Sequence, residues 1–102
     1  MNRIVAALLS LTILTAPDAA LAADAAKGKI LAERWCASCH VVASGQQLGN
    51  TQAPPFSEVA KKDRIDAPMV AYYLMTPHPR MPDMNLSRNE AADLAAYIVS
   101  LK

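Results

Sequence analysis

Cysteine is scarce in this 102-residue chain, with two copies, and so are aromatics, with three tyrosines, one tryptophan and one phenylalanine. Two cysteines cannot build a multi-bridge disulfide scaffold. Charge of one sign is lacking as well: ten Lys plus Arg stand against nine Asp plus Glu, a formal charge of +1. Without a basic excess to neutralise phosphates, the chain is not a polycationic nucleic-acid binder. No apolar run approaches the ~20 residues needed to span a bilayer. Two domains of ordinary size do not fit either, since one takes ~100–150 residues. Disorder is excluded by 53% hydrophobic positions and near neutrality. What remains is one small domain that must find a core.

The hydrophobic residues are unevenly spread. Arg3 precedes an apolar run from Ile4 to Leu14 broken only by Ser10 and Thr12, then come Pro17 and Ala20-Leu21-Ala22. One positive charge, a short apolar core and small residues at the last and third-last positions read as a secretory signal peptide over residues 1–22. Cleavage before Ala23 leaves residues 23–102 as a single domain, exported to the periplasm and not membrane-spanning. That domain is rich in alanine and poor in bulky side chains, and a small domain of this kind needs a staple.

Trp35-Cys36-Ala37-Ser38-Cys39-His40 supplies one. Both cysteines and one of the two histidines fall within five residues, in the Cys-x-x-Cys-His pattern of haem c attachment. Each thiol adds across a haem vinyl group to form a thioether. One helical turn sets the two sulfurs about a porphyrin edge apart, and His40 follows to bind the iron. A structural zinc site would need a second pair of ligands. A redox dithiol would follow a strand in a βαβ setting. A Cys36–Cys39 disulfide would leave His40 without a role.

The remaining chain reads as helical. Asp24 to Arg34 is expected to be a helix running into the motif, with Ile30, Leu31 and Trp35 as its apolar bulk. Gly28 and Ala32, four apart, make a small patch that another helix can approach closely. Val41 to Pro55 reads as a loop wrapping the cofactor. A short helical turn is expected over Ser57 to Lys62, and Asp66-Ala67-Pro68 opens another helix striped by Met69, Val70, Tyr73 and Leu74. Three prolines between Pro77 and Pro82 forbid a helix there. Ser87-Arg88-Asn89-Glu90 is a capping box for a final helix to about Leu101, with Tyr97 on its flank. No segment alternates like a strand.

His40 leaves one axial position on the iron, for which Met69, Met75, Met81, Met84 and His78 are candidates. Met69 and Met75 lie on an expected helix and read as core filling. Met81 is favoured, because Pro82 follows it in a stiff extended strap suited to cross the distal haem face. Met84 could pack at the haem edge, and His78 could ligate or contact a propionate. His/Met ligation raises the reduction potential relative to bis-His and closes the iron to substrates.

In chain order, Gly28 eight residues before Cys36, the attachment site, the Met81-Pro82 pair and the closing Leu94-Ala95-Ala96-Tyr97-Ile98 segment resemble the class I monohaem cytochromes c of the small bacterial type. The resemblance covers nearly all of residues 24–102. It implies an all-α, compact class I cytochrome c fold, three to four helices around one haem c covalently bound through Cys36 and Cys39, with the N- and C-terminal helices crossing. In such a fold Gly28 lies against the C-terminal helix near Tyr97, and a proline carbonyl, here Pro54, accepts a hydrogen bond from His40. The 41 positions from His40 to Met81 fit the compact bacterial forms better than the longer mitochondrial one. Trp35 matches no landmark of the family and is expected to be a packing residue.

The expected function is periplasmic one-electron transfer on a haem ligated by His40 and Met81, by a carrier rather than an enzyme. The donor would be a dehydrogenase or quinol-oxidising complex and the acceptor a terminal oxidase. A dedicated haem subunit of one periplasmic dehydrogenase, oxidising sulfur compounds or alcohols, is the alternative, and a haem sensor or enzyme with an open distal site a minor one. A monomer is favoured. Lys61, Lys62 and Arg64 form the densest basic cluster and read as a solvated helix end. With two propionates the net charge moves to about −1, so long-range steering is weak and docking falls to a local patch at the haem edge.

Overall fold

A computed structural model describes residues 22–46, 53–76 and 78–102. The leader expected over residues 1–22 lies, but for its last residue, outside them, as do Gly49 and Asn50 of the wrapping loop. Four helices follow one another: α1 (Ala25–Trp35), α2 (Phe56–Ala60), α3 (Ala67–Met75) and α4 (Arg88–Val99). No strand occurs among the described residues, as the all-α reading anticipated.

Each of the longer helices begins at a side chain that accepts its orphan amide protons. The Asp24 carboxylate takes those of Ala26 and Lys27 at 2.9 and 3.2 Å, and Asp66 takes that of Met69 at 2.8 Å. At α4 the capping box is complete: Glu90 N–H donates to Ser87 Oγ at 3.1 Å, and Ser87 N–H donates to Glu90 Oε2 at 2.8 Å. An N-cap of this kind is worth ~1 kcal/mol. The ends of α1, α3 and α4 are therefore written in the local sequence.

The helices assemble on α4, which packs against α1, α2 and α3. Its face of Ala91, Leu94, Ala95, Tyr97 and Ile98 is buried. Gly28 and Ala32 are the buried residues of α1, and the crossing leaves no room for a side chain at Gly28. A Cβ on Gly28 would overlap the Asp93 carbonyl and stand 2.9 Å from Tyr97 Cβ. Beside the crossing, Asp24 N–H donates to the Asp93 carboxylate at 2.7 Å. The expected meeting of Gly28 and Tyr97 is present.

Several orientations differ from the sequence reading. Because the smallest residues of α1 face α4, Ile30 and Trp35 turn outward, 58% and 51% exposed, and only Leu31 is half-buried. On α3 the buried position is Val70. Met69, Met75 and Tyr73 are exposed, so the neighbouring helices alone do not enclose the two methionines. Tyr97, placed on the flank by periodicity, is buried. The core has few large members: among the described residues only Leu94 and Val42 are large and fully enclosed, and alanines 32, 60, 91 and 95 fill much of the rest.

Candidate haem-binding site

The attachment motif occupies the turn that leaves α1. Cys36 N–H and Ala37 N–H both donate back to Ala32 O, at 2.9 and 3.1 Å, and His40 N–H donates to Cys36 O at 2.8 Å. The turn thus continues the helix's bonding while unwinding it. Cys36 is buried and Cys39 exposed, and neither is in a disulfide. Burial, with a smaller contribution from Cys39, pushes the Cys36 thiol up to about 11, so at neutral pH it keeps its proton. The partially exposed Cys39 presents its sulfur to solvent with Ser38 Oγ 3.8 Å away.

His40 is fixed from two sides. Its Nδ1 lies 2.7 Å from Pro54 O, the contact expected of that proline. Phe56, the chain's one phenylalanine, stands 5.1 Å from the imidazole, centroid to centroid, tilted by 47°. A carbonyl on Nδ1 sets the tautomer that leaves the Nε2 lone pair available to a metal. Phe56 N–H in turn donates to Val41 O at 2.9 Å, so the segment carrying Pro54 and Phe56 is laced to the residue after the histidine.

Met81 sits in the non-helical strap between α3 and α4. It is half-buried, and its N–H reaches His78 O at 3.4 Å. Met81 shares a cleft with His78, Leu74 and Asp83. The His78 ring packs 4.0 Å from that of Tyr73, with Nδ1 3.3 Å from Thr76 O and Nε2 buried without a hydrogen-bond partner. Met84 is half-buried further along the strap, while Asn85 takes a left-handed φ of 53° and donates its N–H to Asp83 Oδ1 at 2.8 Å. The attachment turn thus follows α1, and the strap leads directly into α4.

Two contacts that carry this geometry, one from Tyr97 and one from Gln46, escaped the sequence reading. Tyr97 Oη donates to Val42 O at 2.5 Å, tying α4 to the segment after His40. Its hydroxyl is held above its ordinary value of 10.0, first by burial and then by the Glu33 carboxylate. Gln46 threads its carboxamide into the attachment turn itself. Neither contact has a motif; the sequence signals were an aromatic opposite Gly28 and a lone amide after Gly45.

Two thiols and an imidazole on one turn, the imidazole already oriented, form a donor set that fits covalent haem and no other common group. Among the described residues no cluster of three or more His, Cys, Asp or Glu stands ready for a bare metal ion. Fold and site together define an all-α c-type haem protein. The chain belongs to the cytochrome c family, whose sequence model, described as Cytochrome c, matches residues 25–102, and its cofactor is haem c, covalently bound. It is similar to cytochrome c-552 of Bradyrhizobium diazoefficiens, with 49% identity over 94 residues covering 92% of this chain and 90% of that protein. No solved structure matches the chain. No helix among the described residues is long and apolar enough to cross a membrane.

Proposed function

We propose that this protein is a periplasmic one-electron carrier in which Cys36 and Cys39 hold the haem as thioethers and His40 and Met81 bind its iron. The observation that carries the proposal is the 2.7 Å contact between His40 Nδ1 and Pro54 O on a Cys-x-x-Cys-His turn. When bound, the haem supplies a single redox centre that takes one electron from a reduced donor and gives it to an oxidised acceptor. The chain's own residues keep that centre from changing shape. Pro54 and Phe56 prevent the imidazole from turning, and Pro82 stiffens the strap behind the Met81 thioether. A site closed on both faces moves little on oxidation or reduction and offers no position to a substrate. Electrons would come from a dehydrogenase or quinol-oxidising complex and leave to a terminal oxidase, and the signal-peptide pattern of residues 1–22 supports a periplasmic exchange.

A second reading, His78 as the sixth ligand, is favoured by its buried and unpartnered Nε2. The test uses holoprotein from the periplasmic fraction, whose first residue is expected to be Ala23. The oxidised protein is expected to show the weak far-red thioether–Fe(III) band, which Met81→Ala abolishes and His78→Ala leaves in place. A band lost in His78→Ala and kept in Met81→Ala would reverse the assignment. Rapid carbon monoxide binding to the reduced wild type at neutral pH would sink both.

A further inference from the structure

The turn that carries the two cysteines and His40 begins as a continuation of α1 and ends without one. Amide protons are satisfied inward, on Ala32 O and Cys36 O, but no further helical turn follows to donate to the carbonyls of Ala37 and His40. The chain closes a second turn instead, with Gln46 N–H on Ala43 O at 3.4 Å. Gly45 adopts a φ of +83° within it. A Cβ there would meet nothing within 4 Å, so glycine is called for by the left-handed backbone rather than by crowding.

That reversal sends the Gln46 side chain back over the attachment turn. Nε2 donates to Ala37 O at 3.0 Å and to His40 O at 2.8 Å, and Oε1 accepts from Val42 N–H at 2.9 Å. Two donors and one acceptor of a single carboxamide thus replace the missing turn of helix. Among side chains only a primary amide carries that set, and asparagine is one methylene shorter. The clamp grips His40 through its own carbonyl and, two residues on, through Val42, whose carbonyl is held in turn by Tyr97.

We propose that Gln46 is a positioning residue for the haem: by fixing the backbone on both sides of His40, its carboxamide sets the direction in which the imidazole plane lies over the porphyrin. The proposal rests on His40 as the axial ligand. Pro54 restrains the ring from its Nδ1, and Gln46 restrains the peptide to which the ring is attached. With the peptide released, the ring pivots about the Pro54 contact.

The test is the pattern of hyperfine-shifted haem methyl resonances in the oxidised holoprotein, which reports the azimuth of the axial imidazole plane and not global stability. Gln46→Leu removes all three hydrogen bonds. Gln46→Glu keeps the acceptor for Val42 but turns a carboxylate toward two carbonyl oxygens. Both are expected to change the spread or order of the four methyl shifts, while Ser100→Ala, which removes the 2.5 Å bond from Ser100 Oγ to Tyr97 O, leaves them unchanged. If neither Gln46 variant retains haem while Ser100→Ala does, Gln46 holds the turn itself rather than the imidazole plane, which would overturn the proposal. Methyl shifts coinciding with wild type in both Gln46 variants, or equal movement in Ser100→Ala, would overturn it. A wild-type low-spin spectrum in His40→Ala would instead refute the ligand assignment, a separate result.

Discussion

At Gly28 a hydrogen atom stands where any other residue would carry carbon, and helical propensity and packing pull in opposite directions there. Alanine in a helix interior is favoured over glycine by ~1 kcal/mol. The new methyl group would overlap the Asp93 backbone carbonyl and crowd Tyr97 Cβ, and a backbone atom cannot rotate aside as a side chain does. Overpacking of this sort costs ~1–3 kcal/mol or more, so the steric effect prevails. Gly28→Ala is expected to lower holoprotein stability by about 1–3 kcal/mol in denaturant titration; equal or greater stability would mean that α1 slides to accommodate it. The residue was legible because a lone helical glycine four positions from an alanine asks for a reason. The outward turn of Ile30 and Trp35 was not, because the smallest residues of α1 decide which face is buried, and bulk invites the opposite guess. Gln46 was illegible for another reason: its partners are three backbone atoms brought together by a turn, and backbone atoms leave no pattern in a sequence.

Among the elements, α4 carries the most, since the other three helices pack on it and the strap with Met81 leads into its first turn. Its start is a reciprocal pair of hydrogen bonds between Ser87 and Glu90. Ser87→Ala should cost ~1 kcal/mol, read as a fall in the thermal midpoint. Glu90→Ala added to it should cost less than the two separate losses together, because the bonds share one geometry. Strict additivity in that double-mutant cycle would show the two bonds to be independent. This box, like the caps at Asp24 and Asp66, was readable at once, as each needs only three or four neighbouring residues. That the neighbouring helices leave Met69 and Met75 uncovered was not readable, because period and hydrophobicity say that a helix has an apolar stripe without saying how much of it the neighbours cover.

Over the whole molecule, two hydrogen bonds join distant parts of the chain through α4: Asp24 to Asp93, and Tyr97 to Val42. The second has a pH dependence with a definite sign. The folded state holds the Tyr97 proton more tightly than the unfolded chain, whose tyrosine titrates near 10.0. Its contribution is therefore complete below that value and lost as the pH rises through the higher folded one. Urea titrations across this alkaline range should show stability falling, with a shallower fall in Tyr97→Phe, whose phenyl ring has no proton to lose. A matching slope in the variant would assign the fall to lysines instead. The variant should also be weaker at neutral pH, by ~1–3 kcal/mol, for leaving the Val42 carbonyl unmet.

The crossing at Gly28 also imposes an order in time. The residues that cover the first helix are Asp93 and Tyr97, which are made well after the attachment turn. The first helix therefore waits with its small face uncovered until α4 has been made, although the cysteines and His40 have long since emerged. Closure must then come late and all at once, because contacts so far apart in sequence form only after the long loop between them closes. The attachment turn is thus open to haem during the whole interval before the fold shuts.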